Sequence, residues 1–151
     1  MKYISKRSKE KEYSFGEVFL KGLADDGGLY VRKSLKKYSS AELSKLKNLN
    51  YNELSTEIIN QFSGDFISRE ELSSLIKKSY STFRENEVVK ISNVGEIKLL
   101  ELFHGPTLAF KDVAMQFIGN LYEYYLKKND KKIKLSRTIK TQKLILYRII
   151  Y

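Results

Sequence analysis

The 151-residue chain has no cysteine, no tryptophan, one proline, Pro106, and one histidine, His104. Without cysteine there is no disulfide framework and no zinc–thiolate site. A single histidine also excludes a histidine cluster for metal and a Cys–His catalytic pair, so no metal centre is expected. No run approaches the roughly eighteen consecutive apolar residues that would suggest a membrane-crossing helix. The opening MKYISKRSKE lacks the apolar segment of a signal peptide, which makes a cytoplasmic location the expectation. Glycine is absent late in the chain: the last is Gly119, so the final 32 residues hold neither glycine nor proline. That stretch contains no turn glycine able to cradle a phosphate through backbone amides.

A formal net charge of +10 raises nucleic acid or a membrane surface as partners, but its placement argues against both. Residues 1–126 carry 19 Lys and Arg against 17 Asp and Glu, whereas residues 127–151 carry 9 against 1. The body is nearly balanced, and it has neither a Gly-aromatic RNA signature nor a helix-turn-helix pattern. The expectation is no nucleic-acid partner and no membrane partner for the body; the oligomeric state is left open.

Along the chain, Lys2–Ser5 reads as a short strand. A helix follows in which Ser14 and Glu17 form a capping box and Phe15, Val18, Phe19 and Leu23 make an apolar face. Asp25–Gly28 is a turn, and Leu29–Arg32 a second short strand. The glycine pair lacks the spacing of a nucleotide-binding loop and is read as structural. Three capped helices are predicted over residues 34–83. Their starts are Ser39 or Ser40, Asn50 or Asn52, and Ser68 with Glu71, and their apolar residues Leu43, Leu46, Leu54, Ile58, Ile59, Phe62, Leu72, Leu75 and Ile76 are expected to form a small core. Beyond them, Val88–Ile91 and Ile97–Phe103 are β-rich runs, the second expected to be a buried strand.

The densest chemical signal is the run HGPTLAFKD, His104 to Asp112. Gly105-Pro106 is a turn signal, and Val113, Phe117, Leu121 and Tyr125 then recur at helix spacing. Lys111 is therefore placed at the first turn of a helix, where the macrodipole disfavours an ammonium and helps the neutral amine. The neutral amine is the form that attacks an aldehyde. His104, beside Gly-Pro, is read as a loop or packing residue.

This run resembles the cofactor-lysine motif of the threonine synthases, pyridoxal-phosphate enzymes of the tryptophan synthase β-like fold group. A second block, SFGEVFLKGLADDGGLYV from Ser14 to Val31, resembles the N-terminal signature of the same family. The resemblance covers about residues 1–134. It implies an α/β fold: a small, mainly helical N-terminal domain followed by the first βαβ portion of a fold-type II pyridoxal-phosphate domain. It also implies that Lys111 is the catalytic and cofactor-binding residue, its amine joined to C4′ of pyridoxal 5'-phosphate. Phe110 and Asp112 would brace it, by packing and by the helix terminus respectively. The implied reaction is that of a carbon-oxygen lyase acting on phosphate, converting O-phosphohomoserine and water to threonine and phosphate in threonine biosynthesis.

The domain reading is 1–84, threonine synthase-like; 85–134, the incomplete start of the cofactor domain, with KKIKL at 131–135 as its next strand; and 135–151, an atypical basic tail. After residue 134 the chain departs from the family, having neither its Ser-Gly-Asp-Thr-Gly segment nor its glycine-rich phosphate loop. Three readings stay open: a threonine synthase active as part of a larger whole, a truncated or frame-shifted N-terminal fragment inactive alone, and a basic binding module working through its tail.

Overall fold

The computed structural model describes residues 1–129, so the strand expected at 131–135 and the basic tail 135–151 lie outside the described residues. The elements run β1 (Tyr3–Ser5), α1 (Phe15–Lys21), β2 (Tyr30–Arg32), α2 (Ser40–Leu46), α3 (Tyr51–Ser63), a 3-10 turn (Gly64–Phe66), α4 (Arg69–Tyr80), β3 (Lys90–Val94), β4 (Ile97–Glu101) and α5 (Asp112–Lys128). Helices and small antiparallel sheets together make the α/β architecture that was expected. The chain forms two compact units, one from Met1 to Ser73 and one beginning at Ser74.

In the first unit β1 and β2 pair antiparallel, with Tyr3 opposite Arg32 and Ser5 opposite Tyr30. Tyr3 also exchanges backbone hydrogen bonds with Tyr13, at 2.9 and 2.8 Å. Its buried ring joins Tyr13 and Val18 in a small cluster, with Phe15 and Tyr30 against it. The Tyr3 hydroxyl donates to the Phe62 carbonyl at 2.6 Å, which ties the strand to the end of α3 and satisfies a phenol that burial would otherwise penalise. Phe15, Phe19 and Phe66 stack and meet edge to face.

Each helix start is set by its own side chains. Ser14 with Glu17, Ser39 with Glu42 and Asn50 with Glu53 form reciprocal capping boxes, and Ser68 and Glu71 exchange the same pair of bonds ahead of α4. Each box satisfies two backbone donors that a helix start leaves open. Lys36 and the Ser39 donors together hold the Glu42 carboxyl at about 2.

Two expectations about burial are overturned. Leu43 is 54 % and Phe62 37 % exposed, whereas Leu72 and Ile76 are fully buried. The short α2 buries no residue, because seven residues make only two turns, and their cap suffices to start a helix without a face to bury. The second correction lies in the second unit. The run containing Leu99, Leu100 and Phe103 is not a buried strand: these residues are 47, 58 and 53 % exposed. Among the described residues β4 pairs only with β3, from Lys90–Glu101 to Val94–Ile97, and a two-stranded hairpin by itself has no second layer to cover either face.

The first of the expected β-runs is also displaced, since β3 begins at Lys90. Val88 instead sits in a turn with φ 61° and is 2 % exposed. A β-branched residue in that region carries strain, which burial of its side chain offsets. The end of α4 holds the start and middle of α5 within this unit. The Tyr80 hydroxyl donates to the Val113 carbonyl at 2.9 Å, and the Asn120 amide donates to Ser79 Oγ at 3.0 Å.

The burial pattern separates two leucines that look alike in sequence. Leu72→Ala should cost about 2–5 kcal/mol by leaving a cavity, while Leu43→Ala should change stability by less than about 0.5 kcal/mol. Denaturant unfolding followed by the helical signal would measure both, and equal losses would contradict the burial described.

Candidate active site

The segment between β4 and α5 holds His104 to Lys111 of the lysine motif, and Asp112 opens α5. It opens at His104, whose carbonyl accepts the Arg84 N–H at 2.9 Å. The His104 ring shares a hydrogen bond with Glu101 across 2.7 Å and lies 4.7 Å from the Phe103 ring. Hydrogen bonds from Ser92 and then from His104 keep the Glu101 carboxyl below the ordinary carboxylate range. The histidine is thus held at the end of the hairpin by a carboxylate, as a structural loop residue would be.

From Gly105 the chain turns sharply. The Leu108 N–H donates to the Gly105 carbonyl at 3.1 Å, and Leu108 takes a left-handed conformation, φ 60°. For a leucine this costs roughly 1–2 kcal/mol. Gly105 is buried against Asp112, and a methyl group at position 105 would overlap the Asp112 Cβ. Asp112, the first residue of α5, is 1 % exposed. Its Oδ2 accepts the Thr107 N–H at 2.8 Å and its Oδ1 accepts the Thr107 hydroxyl at 2.8 Å.

Lys111 occupies the N-cap position of α5, with φ −63° and ψ −22° and no capping bond from its side chain. Its carbonyl already takes the Met115 N–H at 2.8 Å, so the residue is rigid in backbone and exposed in side chain. The sequence reading put the lysine at the helix start, and the structure places it there. Phe110, expected to brace the lysine by packing, is instead 64 % exposed. Asp112 is bonded to Thr107, a partner that sequence reasoning missed. The signal was present as a carboxylate in a first helical turn five residues after a threonine that follows Gly-Pro. The described residues contain no group of three or more His, Cys, Asp or Glu placed to hold a metal.

A strand, a clasped turn and a helix start together place an exposed lysine on a fixed backbone. Residues 2–80 match the family model described as the threonine synthase N terminus. The threonine synthase of Schizosaccharomyces pombe is 41 % identical over 133 residues, covering 86 % of this chain and 26 % of the relative. That of Pseudomonas aeruginosa is 36 % identical over 134 residues, covering 88 % and 29 %. Among solved structures, the pyridoxal-phosphate-bound threonine synthase from Brucella melitensis superposes with a TM-score of 0.83 at 34 % identity, over 87 % of this chain and 29 % of that one. The yeast enzyme gives 0.81 at 40 %, over 88 % and 28 %. The chain belongs to the threonine synthase family. It spans about a quarter of the length of the curated relatives it matches.

Two outcomes follow from the loop geometry. Gly105→Ala should destabilise the second unit by about 1–3 kcal/mol, since Asp112 must move to admit the methyl; thermal unfolding would detect it. The lowered Glu101 carboxyl supplies stability that is complete above the unfolded-state value near 4.3 and is lost as pH falls through the lower folded value. Glu101→Gln should therefore flatten the acid limb of the stability–pH curve and leave the neutral region's slope unchanged.

Proposed function

We propose that this chain carries the cofactor-lysine portion of a threonine synthase, with Lys111 as the residue that holds pyridoxal 5'-phosphate. The observation that supports it is the position of Lys111: an exposed primary amine on a backbone-fixed N-cap, within a nine-residue run resembling the family's lysine motif. The residues present fit the aldehyde end of the cofactor and not its phosphate end, because no glycine follows Gly119 to build an amide cradle. When bound, the cofactor supplies an electron sink for the substrate's carbon skeleton.

The chain's own contribution is to present Lys111 Nζ. In its neutral form a primary amine is the group that bonds to an aldehyde carbon. With cofactor and substrate bound, Nζ would be the group beside the substrate that takes up and returns a proton. The reaction is the lyase conversion of O-phosphohomoserine and water to threonine and phosphate, in the setting of threonine biosynthesis in the cytoplasm. We assign residues 1–84 to the N-terminal domain and 85–134 to the start of the cofactor domain. The 151 residues by themselves supply the amine without the phosphate cradle, so the isolated chain is expected to be inactive.

Purified chain given O-phosphohomoserine and saturating pyridoxal phosphate should release no phosphate above blank; steady turnover would show that the cradle is dispensable. Borohydride reduction after incubation with the cofactor, followed by peptide mapping, should label Lys111 above the other lysines and lose that peak in Lys111→Ala. Label spread evenly over the lysines would remove Lys111 from the proposed role.

A further inference from the structure

Six residues, Thr107 to Asp112, form a ring closed by side chains. Asp112 is 1 % exposed, and a carboxylate so buried needs donors to both oxygens. It takes both from one residue: the Thr107 N–H at Oδ2 and the Thr107 hydroxyl at Oδ1, each at 2.8 Å. Gly105 lies flat against the same side chain, where a Cβ could not fit. The left-handed turn at Leu108, φ 60°, lies inside the ring. A turn of that cost persists only where its surroundings impose it, and the two bonds to Asp112 are what impose it here. The side chains that leave the ring, Leu108 at 51 %, Phe110 at 64 % and Lys111, are all exposed.

We infer that Asp112 is a positioning residue for Lys111: by clasping Thr107 it fixes the ring from which the lysine leaves the helix start, and so sets where the amine meets the cofactor aldehyde. This rests on the reading that Lys111 holds pyridoxal phosphate. Asp112 itself is buried away from the exposed amine and carries no chemical step. The clasp acts through backbone geometry, with the ring holding residues 108–111 and the helix holding the Lys111 carbonyl through Met115. Alanine at 112 can accept neither bond, valine at 107 keeps the N–H and loses the hydroxyl, and serine at 107 keeps both.

The test uses the full chain with pyridoxal phosphate as probe, borohydride trapping, and peptide mapping that gives the label at Lys111 relative to the other lysines. Far-UV circular dichroism is recorded in parallel. Thr107→Val should lower the relative label about five-fold, the scale of one net hydrogen bond, and Asp112→Ala at least as much, with the helical signal unchanged. Thr107→Ser should restore wild-type labelling. Because both variants break one clasp, the double variant should fall well short of the product of the single losses.

Wild-type labelling selective for Lys111 with Thr107→Val equally selective would overturn the positioning role while leaving the cofactor reading standing. Should Asp112→Ala fail to fold, Thr107→Val with Thr107→Ser decides alone, since Thr107 is exposed. A Thr107→Ser loss as deep as that of Thr107→Val would also overturn it, because the hydroxyl would then not be what matters. Wild-type chain labelled evenly over its lysines would overturn the cofactor reading itself, and the positioning role with it.

Discussion

Burying one carboxylate organises the lysine loop. Asp112 begins a seventeen-residue helix and is almost fully covered, so leaving its oxygens unpaired would cost several kcal/mol. The donors that satisfy it come from Thr107, which forces the chain to double back within five residues. The tight approach at Gly105, the left-handed Leu108 and the outward side chains of Phe110 and Lys111 are all consequences of that pairing. A charge is expensive to bury, and here the two hydrogen bonds from Thr107 offset that expense while they fix the loop.

The two units solve the problem of covering apolar surface unequally. The first closes around Tyr3, Tyr13 and Val18, with the Phe15, Phe19 and Phe66 rings meeting nearby. In the second, the end of α4 grips α5 through Tyr80 and Asn120, yet the β3–β4 hairpin leaves Ile91, Val94, Ile97, Leu99 and Leu100 between 47 and 65 % exposed. An exposed apolar cluster of this kind marks a surface built to be covered. The relatives whose fold this stretch shares carry more than three times as much chain.

Much was legible in the residues alone. The capping boxes at Ser14 and Ser68 were readable, and the two other starts were narrowed to Ser39 or Ser40 and to Asn50 or Asn52, because capping is local, needing only a short polar side chain and, for a box, a glutamate three residues on. The start of α5 beside Lys111 was readable for a similar reason, as the turn signal of Gly105-Pro106 meets a four-residue apolar repeat there. The family was legible because two separated blocks carry it. Periodicity says which side chains share a face and not whether anything lies against that face, so Leu43 and Leu72 could not be told apart, and Leu99 and Leu100 were taken for core.

The sequence by itself determined the helix starts, the lysine's place at one of them and membership of the threonine synthase family, since all three depend on residues within a few positions of each other or on direct likeness. Only the tertiary structure decided that Asp112 is buried and bonded to Thr107, that Val88 is a buried turn residue rather than part of a strand, and that the hairpin stands uncovered. Burial is the reason for the difference. It depends on what the rest of the chain brings to a residue, and no local spacing records which neighbours arrive.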